Sequence, residues 1–354
     1  MFFNEIMETS RKKSLQKELF TISLPTADIQ GYKWKNSKKE VLLVLPGGFC
    51  SYNMGFVDLL AKEYEVWCPH PRGMGRGIAR SFAKDGDYSI DTQFKDMSSL
   101  VPAIAEQAGK KLHVIGYSAG AWYARSFASG VYWDDEKETF AQSQAICKER
   151  AEKYIKSLSI VSSPKKLPQI PPYPLSLFVL ATKTLGPYSL KYPTLWPNEE
   201  EYKGIKGKIR QKIWKGIDTV VAEVIPYIDF EKTLFGKYGK NLTAEDIKDM
   251  RELLCPAERA YAEDCVRLFH SGTIESIDGF DLCPKFSPSF PILIVAGSQD
   301  LITDQMLEAY KEDFRDHAQL WTRFLQGAGH FSLIQNFGTG KDLALLIDRF
   351  IKNP

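Results

Sequence analysis

The chain has 354 residues, enough for one large domain or for a core carrying a second, inserted one. Hydrophobic residues make up 44% and charged residues 25%, so a sizeable buried core is expected rather than a disordered chain. The 46 basic and 44 acidic residues leave a net charge of +2, which argues against the strong basic excess of a general nucleic-acid binder.

The opening "MFFNEIMETSRKKSLQ" places its charges after its few apolar residues and has no continuous apolar core, so it is not read as a signal peptide. Two segments follow, "ELFTISL" (18–24) and "IQGYKWK" (29–35), which read as an antiparallel hairpin at the edge of a sheet. "EVLLVLP" (40–46) and "YEVWCP" (64–69) are continuous apolar runs, the pattern of strands covered on both faces, with the helical "MGFVDLLAKE" (54–63) between them. "TQFKDMSSLVPAIAEQAG" (92–109) carries apolar residues at three- and four-residue spacing and leads into a third buried run, "LHVIGY" (112–117). A weaker run, "SLSIVSS" (157–163), comes next.

From about 165 to 287 the strand–helix rhythm breaks. A proline-rich stretch, "PKKLPQIPPYPLSLF", is followed by helical segments, among them "EEEYKGIKGKIRQKIWKGI" and "TAEDIKDMRELL" with Thr243 as its N-cap. An excursion of this length between two strands is expected to form a mainly helical cap over a site. Lys203, Lys206, Lys208, Arg210, Lys212 and Lys215 lie opposite Ile205, Ile209 and Ile213, and so form the solvated face of a helix. The buried run "PILIVAG" (291–297), the weaker "LWTRFL" (320–325) and the amphipathic "GKDLALLIDRFIKN" (340–353) close the chain. The alternation predicts an α/β fold: a mostly parallel, doubly wound sheet with residues 1–164 and 288–354 as its core and 165–287 inserted.

One pentapeptide carries a chemical suggestion. Gly116-Tyr117-Ser118-Ala119-Gly120 follows a buried strand directly and precedes a plausible helix, the context in which a serine is raised on a strained turn as a nucleophile. A serine hydroxyl needs a base to take its proton. Of the five histidines, His330 in "LQGAGHFS" lies in a glycine-bracketed loop just past the last strand, at the same carboxyl edge as Ser118. His70, past the second strand, is the next candidate. Asp300 in "VAGSQDLIT" also follows a strand by a short turn, so the acid that orients the base is assigned there. The order Ser118, Asp300, His330 is the one expected of this architecture.

A tetrahedral intermediate needs preorganised N–H donors for its oxyanion. Ala119 at the helix start is one; the other comes from Gly47-Gly48-Phe49 after the first buried strand, with Gly48 preferred and Phe49 the alternative. Six scattered cysteines without a C-x-x-C pair fit neither a zinc site nor a disulfide framework. No carboxylate pair or histidine cluster points to a metal, and no phosphate or dinucleotide fingerprint is complete, so no cofactor is expected. Nor does any stretch reach 18 uninterrupted apolar residues, and a cytoplasmic protein without a transmembrane segment is expected.

From "VLLVLPGG" through "PRGMGRG", "VIGYSAG" and "VAGSQD" to "GAGHF", the chain resembles an α/β-hydrolase with a cap domain. "HPRGMGRG" is similar to the family's D-x-R-G-x-G-x-S stretch, with Pro71, Arg72, Gly73 and Gly75 in place. Pro46-Gly47 departs from the family's usual His-Gly at the oxyanion loop. The resemblance implies a serine hydrolase acting on a small acyl substrate. It disfavours dehalogenase and epoxide-hydrolase chemistry, which in this family usually places Asp where Ser118 stands. Two other readings stay open: an acyltransferase using the same acyl-enzyme, and a non-catalytic ligand-binding protein on the same fold. Phe178, Tyr188, Tyr192, Trp196 and Trp214 hint at an apolar acyl pocket in the cap.

Overall fold

A computed structural model describes residues 17–36, 39–48, 50–76, 79–167, 235–253, 258–300 and 303–354. Its centre is a sheet whose main path has eight strands. These are β1 (Lys17–Ser23), β2 (Ala27–Trp34), β3 (Val41–Leu45), β4 (Glu65–Pro69), β5 (Leu112–Tyr117), β6 (Ile155–Val161), β7 (Ile292–Gly297) and β8 (Leu320–Leu325). They lie in the order β1-β2-β4-β3-β5-β6-β7-β8, and a two-residue strand, Phe82–Ala83, also pairs with β2. β1 and β2 form the antiparallel hairpin expected from the sequence, and β2 runs antiparallel to β4. From β4 to β8 every pairing is parallel. The carboxyl ends of β3 to β8 therefore share one edge.

Each continuous apolar run divides its side chains between two covers. Leu42, Val44, Ile115, Tyr117, Leu293 and Val295 face one cluster, which includes Phe56 and Leu60 of α1 (Gly55–Leu60) and Ile347 and Phe350 of the C-terminal helix Gly340–Lys352. Leu43, Leu45, Val114, Leu158, Ile292 and Ile294 face the other, with Phe94 and Ile104 of α2 (Ile90–Ala108) and Ala124 and Phe127 of α3 (Ala119–Ala128). Burial on both faces is why these strands are apolar throughout instead of alternating. Each fully buried Leu or Ile contributes about 1.5–3 kcal/mol.

Helix limits moved modestly. α1 stops at Leu60 instead of Glu63, and α2 begins at Ile90, capped by Ser89, whose hydroxyl accepts from the Thr92 amide. The run read as 157–163 begins earlier, at Ile155, and stops at Val161, which leaves Ser162 just past the strand. A hairpin, Val131–Asp134 with Thr139–Gln142, was not expected; it is held by edge-to-face packing of Trp133 on Phe140 at 5.1 Å.

The motif stretch after β4 is structural. The fully buried Arg72 guanidinium donates to both oxygens of Asp96 at 2.7 and 2.6 Å, to Thr26 Oγ1 at 2.8 Å and to the Asp87 carbonyl at 2.8 Å. It ties α2 and the sheet edge to the loop following β4.

Of the 165–287 segment, the described part includes α4 (Ala244–Leu253) and α5 (Arg259–Ser271). Thr243 accepts from the Asp246 amide at 3.2 Å, as an N-cap does. The basic run at 203–215 and the aromatics from Phe178 to Trp214 lie outside the described residues, as does Phe49.

Candidate active site

Ser118 sits between β5 and α3 with φ 52° and ψ −122°. This is left-handed backbone for a residue with a Cβ, a strain of about 1–3 kcal/mol that the surroundings must hold in place. They do so through the Ser118 amide, which donates to the Val161 carbonyl at 2.9 Å, and the Ala121 amide, which donates to the Ser118 carbonyl at 3.0 Å. Gly120 is packed so closely on the carbonyls of Leu45 and Pro46 that a Cβ there would overlap them. The second glycine of the pentapeptide is thus required by helix-to-strand approach, and the turn presents Ser118 Oγ above the sheet edge.

The loops after β7 and β8 bring two more groups to that hydroxyl. His330 Nε2 lies 3.1 Å from Ser118 Oγ, and His330 Nδ1 lies 2.9 Å from Asp300 Oδ2. The Asp300 side chain is 1% exposed and the imidazole 13%. Water therefore has little access to the carboxylate and more to the ring. Tyr117 donates its hydroxyl to the His330 carbonyl at 3.0 Å and its ring lies 5.1 Å from the imidazole. Burial, reinforced by the nearby Cys50 and Asp300, pushes the Tyr117 phenol well above its ordinary value, so it acts here only as a neutral donor. The three residues assigned from the sequence thus converge.

A fourth side chain joins them. Ser162, immediately after β6, donates its hydroxyl to Asp300 Oδ2, and its oxygen lies 3.1 Å from His330 Nδ1. It too has left-handed backbone, φ 49°, and is fully buried.

Gly48 lies in the turn after β3. A Cβ built on it would stand 3.7 Å from Ala119 Cβ and 2.7 Å from the Tyr261 hydroxyl oxygen. The two amides named as oxyanion donors therefore belong to adjoining residues in space. Tyr261, from α5, caps the spot where a side chain at 48 would go. Its hydroxyl is 3.5 Å from that of Tyr123, which donates to Gln93 Oε1 at 2.8 Å. Burial raises both phenols, so both stay protonated.

The remaining histidines are elsewhere. His113 is buried within β5 against Ser157 Oγ at 2.7 Å, and His70 is buried after β4. Burial pulls each down to about 4, which keeps both rings neutral at pH 7. His330, not His70, reaches Ser118. Among the described residues no group of three or more His, Cys, Asp or Glu side chains is placed to hold a metal ion.

The profile of the Alpha/beta hydrolase family matches residues 41–336. The chain belongs to this family. Among solved structures, a thermophilic esterase from Thermogutta terrifontis is 16% identical, with a TM-score of 0.55 over 95% of this chain and 98% of that one. The Cif epoxide hydrolase from Acinetobacter nosocomialis is 14% identical, with a TM-score of 0.54 over 99% and 94%. The thioesterase domain from the curacin biosynthetic pathway is 17% identical, with a TM-score of 0.53 over 94% and 99%. At these identities the likeness is one of fold. No match is found among curated protein sequences. Membership of this family makes the chain an enzyme of the α/β-hydrolase superfamily. Among the described residues no helix is long and apolar enough to cross a membrane.

Proposed function

We propose that the protein is a serine hydrolase that cleaves a carboxylic ester, or a thioester or amide, through an acyl-enzyme on Ser118. The observation that carries this reading is the line from Ser118 Oγ to His330 Nε2 at 3.1 Å and from His330 Nδ1 to Asp300 at 2.9 Å. Such a line lets the imidazole take the hydroxyl proton as oxygen attacks the acyl carbon, while the buried carboxylate stabilises the imidazolium formed. His330 then returns that proton to the leaving group. In the second half it takes a proton from water, hydroxide adds to the acyl carbon, and Ser118 leaves with the proton restored.

The amides of Gly48 and Ala119 are assigned to the oxyanion, with Phe49 as the alternative to Gly48. Each such donor is typically worth 10²–10³ in turnover. Residues 165–287 are assigned as a cap. In support, the Ser51 amide donates to the Leu253 carbonyl at 2.5 Å, Lys237 donates its amide to Gly327 at 2.9 Å, and Tyr261 stands over Gly48. The excursion thus touches the loops on both sides of Ser118. A serine at the elbow also sets the reading apart from epoxide-hydrolase chemistry, which in this family usually places Asp there.

The test is turnover of p-nitrophenyl esters of increasing chain length. The parent protein is expected to hydrolyse them, Ser118→Ala to be inactive, and His330→Ala to lose about three orders of magnitude or more. Undiminished hydrolysis by Ser118→Ala sinks the proposal, and a loss under tenfold in His330→Ala points to another base. Indifference to chain length counts against an acyl tunnel in the cap.

A further inference from the structure

We infer that Ser162 is a positioning residue for the base: its hydroxyl fixes the Asp300 carboxylate and shares the Nδ1 proton of His330. The inference rests on the acyl-enzyme reading for what His330 does, but on geometry of its own.

Three polar atoms meet where Ser162 is fully buried and the Asp300 side chain nearly so: Asp300 Oδ2, His330 Nδ1 and Ser162 Oγ, with 2.9 Å from Nδ1 to the carboxylate and 3.1 Å from Nδ1 to the hydroxyl oxygen. The donors and acceptors can be assigned by counting protons. An ionised carboxylate only accepts, so the single proton of Ser162 goes to Asp300. The Ser162 oxygen is then left with lone pairs facing Nδ1, and the proton between them belongs to the ring. His330 is therefore held with Nδ1 protonated by two acceptors at once, and its lone pair sits on Nε2, which faces Ser118 Oγ. One hydroxyl thus serves both the tautomer of the base and the orientation of the acid.

The backbone places the hydroxyl there by design of the strand. Ser162 follows β6, which lies between β5 and β7, so it ends midway between the strand leading to Ser118 and the strand leading to Asp300. Its amide donates to the Val295 carbonyl at 2.8 Å, while φ 49° turns the side chain to the edge. A glycine would adopt that conformation without strain. A serine in that conformation bears the strain that glycine would avoid, and it brings the hydroxyl to Asp300 and His330.

The experiment compares Ser162→Ala and Ser162→Gly with the parent. Alanine removes the hydroxyl at unchanged backbone strain, and glycine removes the hydroxyl and the strain together. Two readouts are used: kcat and KM on a p-nitrophenyl ester, and the far-downfield proton resonance of His330 Nδ1, which needs no substrate. Loss of a hydrogen bond to a charged group predicts kcat lower by about ten- to a hundredfold with KM within about twofold. The resonance should shift or broaden in both variants. A merely structural role predicts instead that glycine, the relaxed variant, keeps parental kcat and resonance. Either folded variant with kcat within twofold of the parent and an unmoved resonance overturns the inference. If the parent hydrolyses no ester yet the resonance moves on substitution, the acyl-enzyme reading fails and the positioning role stands.

Discussion

Gly48→Ala gives a quantitative test of how the oxyanion loop is built. The backbone at Gly48 is not in the left-handed region, so alanine is conformationally permitted there and only space decides the outcome. The added Cβ would stand 2.7 Å from the Tyr261 hydroxyl oxygen, against an ordinary contact of about 3.5 Å, so one partner must give way by several tenths of an ångström. Tyr261 is fully buried, which makes it unable to swing aside cheaply, and overpacking of this kind costs about 1–3 kcal/mol. Displacement of the Gly48 amide instead would remove one of the two proposed oxyanion donors, about 10²–10³ in kcat.

Tyr261→Phe removes the obstructing atom. The next nearest atoms, Tyr261 Cζ and Ala119 Cβ, are both 3.7 Å from the added methyl, which is ordinary contact. The Tyr123 hydroxyl keeps Gln93 as its acceptor in that variant. Steady-state kinetics on one ester, with thermal unfolding of each variant, should therefore show Gly48→Ala impaired, Tyr261→Phe close to the parent, and the double variant restored to within about tenfold. A fully active Gly48→Ala protein, or a double variant no better than the single, would refute the reasoning.

Two other predictions concern stability. Arg72→Met leaves Asp96 buried without its guanidinium and is expected to cost about 3–5 kcal/mol in urea unfolding, much of it recovered by Arg72→Met with Asp96→Leu; a loss below 1 kcal/mol would mean that the pair is not buried as described. His70 and His113 have folded-state pKa values depressed to about 4, so each binds a proton more readily when unfolded. Their contribution is intact above pH 6.5 and is lost as pH falls toward 4, on the order of 2 kcal/mol per histidine by pH 5; a urea midpoint unchanged between pH 7 and 5 would contradict this.

Much of the core was legible because each strand is covered on both faces, which writes a continuous apolar run into the sequence. "EVLLVLP", "YEVWCP", "LHVIGY" and "PILIVAG" all became parallel strands. Ser118, Asp300 and His330 could be singled out because parallel strands end at one edge: Ser118 directly follows such a strand, Asp300 follows another by a short turn, and His330 lies in the loop after the weaker, partly exposed β8. Ser162 follows a strand too, but its role depends on β6 lying between β5 and β7. Lateral strand order leaves no local mark in a sequence. Tyr261 was missed for a related reason: it reaches Gly48 from α5, more than two hundred residues away, through a docking of helix on loop that no short motif encodes. The hairpin Val131–Asp134 with Thr139–Gln142 escaped because its strands are only four residues long, half-exposed and joined by a charged turn.

The central claim is that Ser118 becomes covalently acylated, and the most direct measurement is intact-protein and peptide mass spectrometry after treatment with a fluorophosphonate at neutral pH. The account predicts one adduct, mapped to the peptide containing Ser118, absent in Ser118→Ala and formed far more slowly in His330→Ala. No adduct on the folded parent protein, or an adduct on another residue that persists in Ser118→Ala, would contradict it.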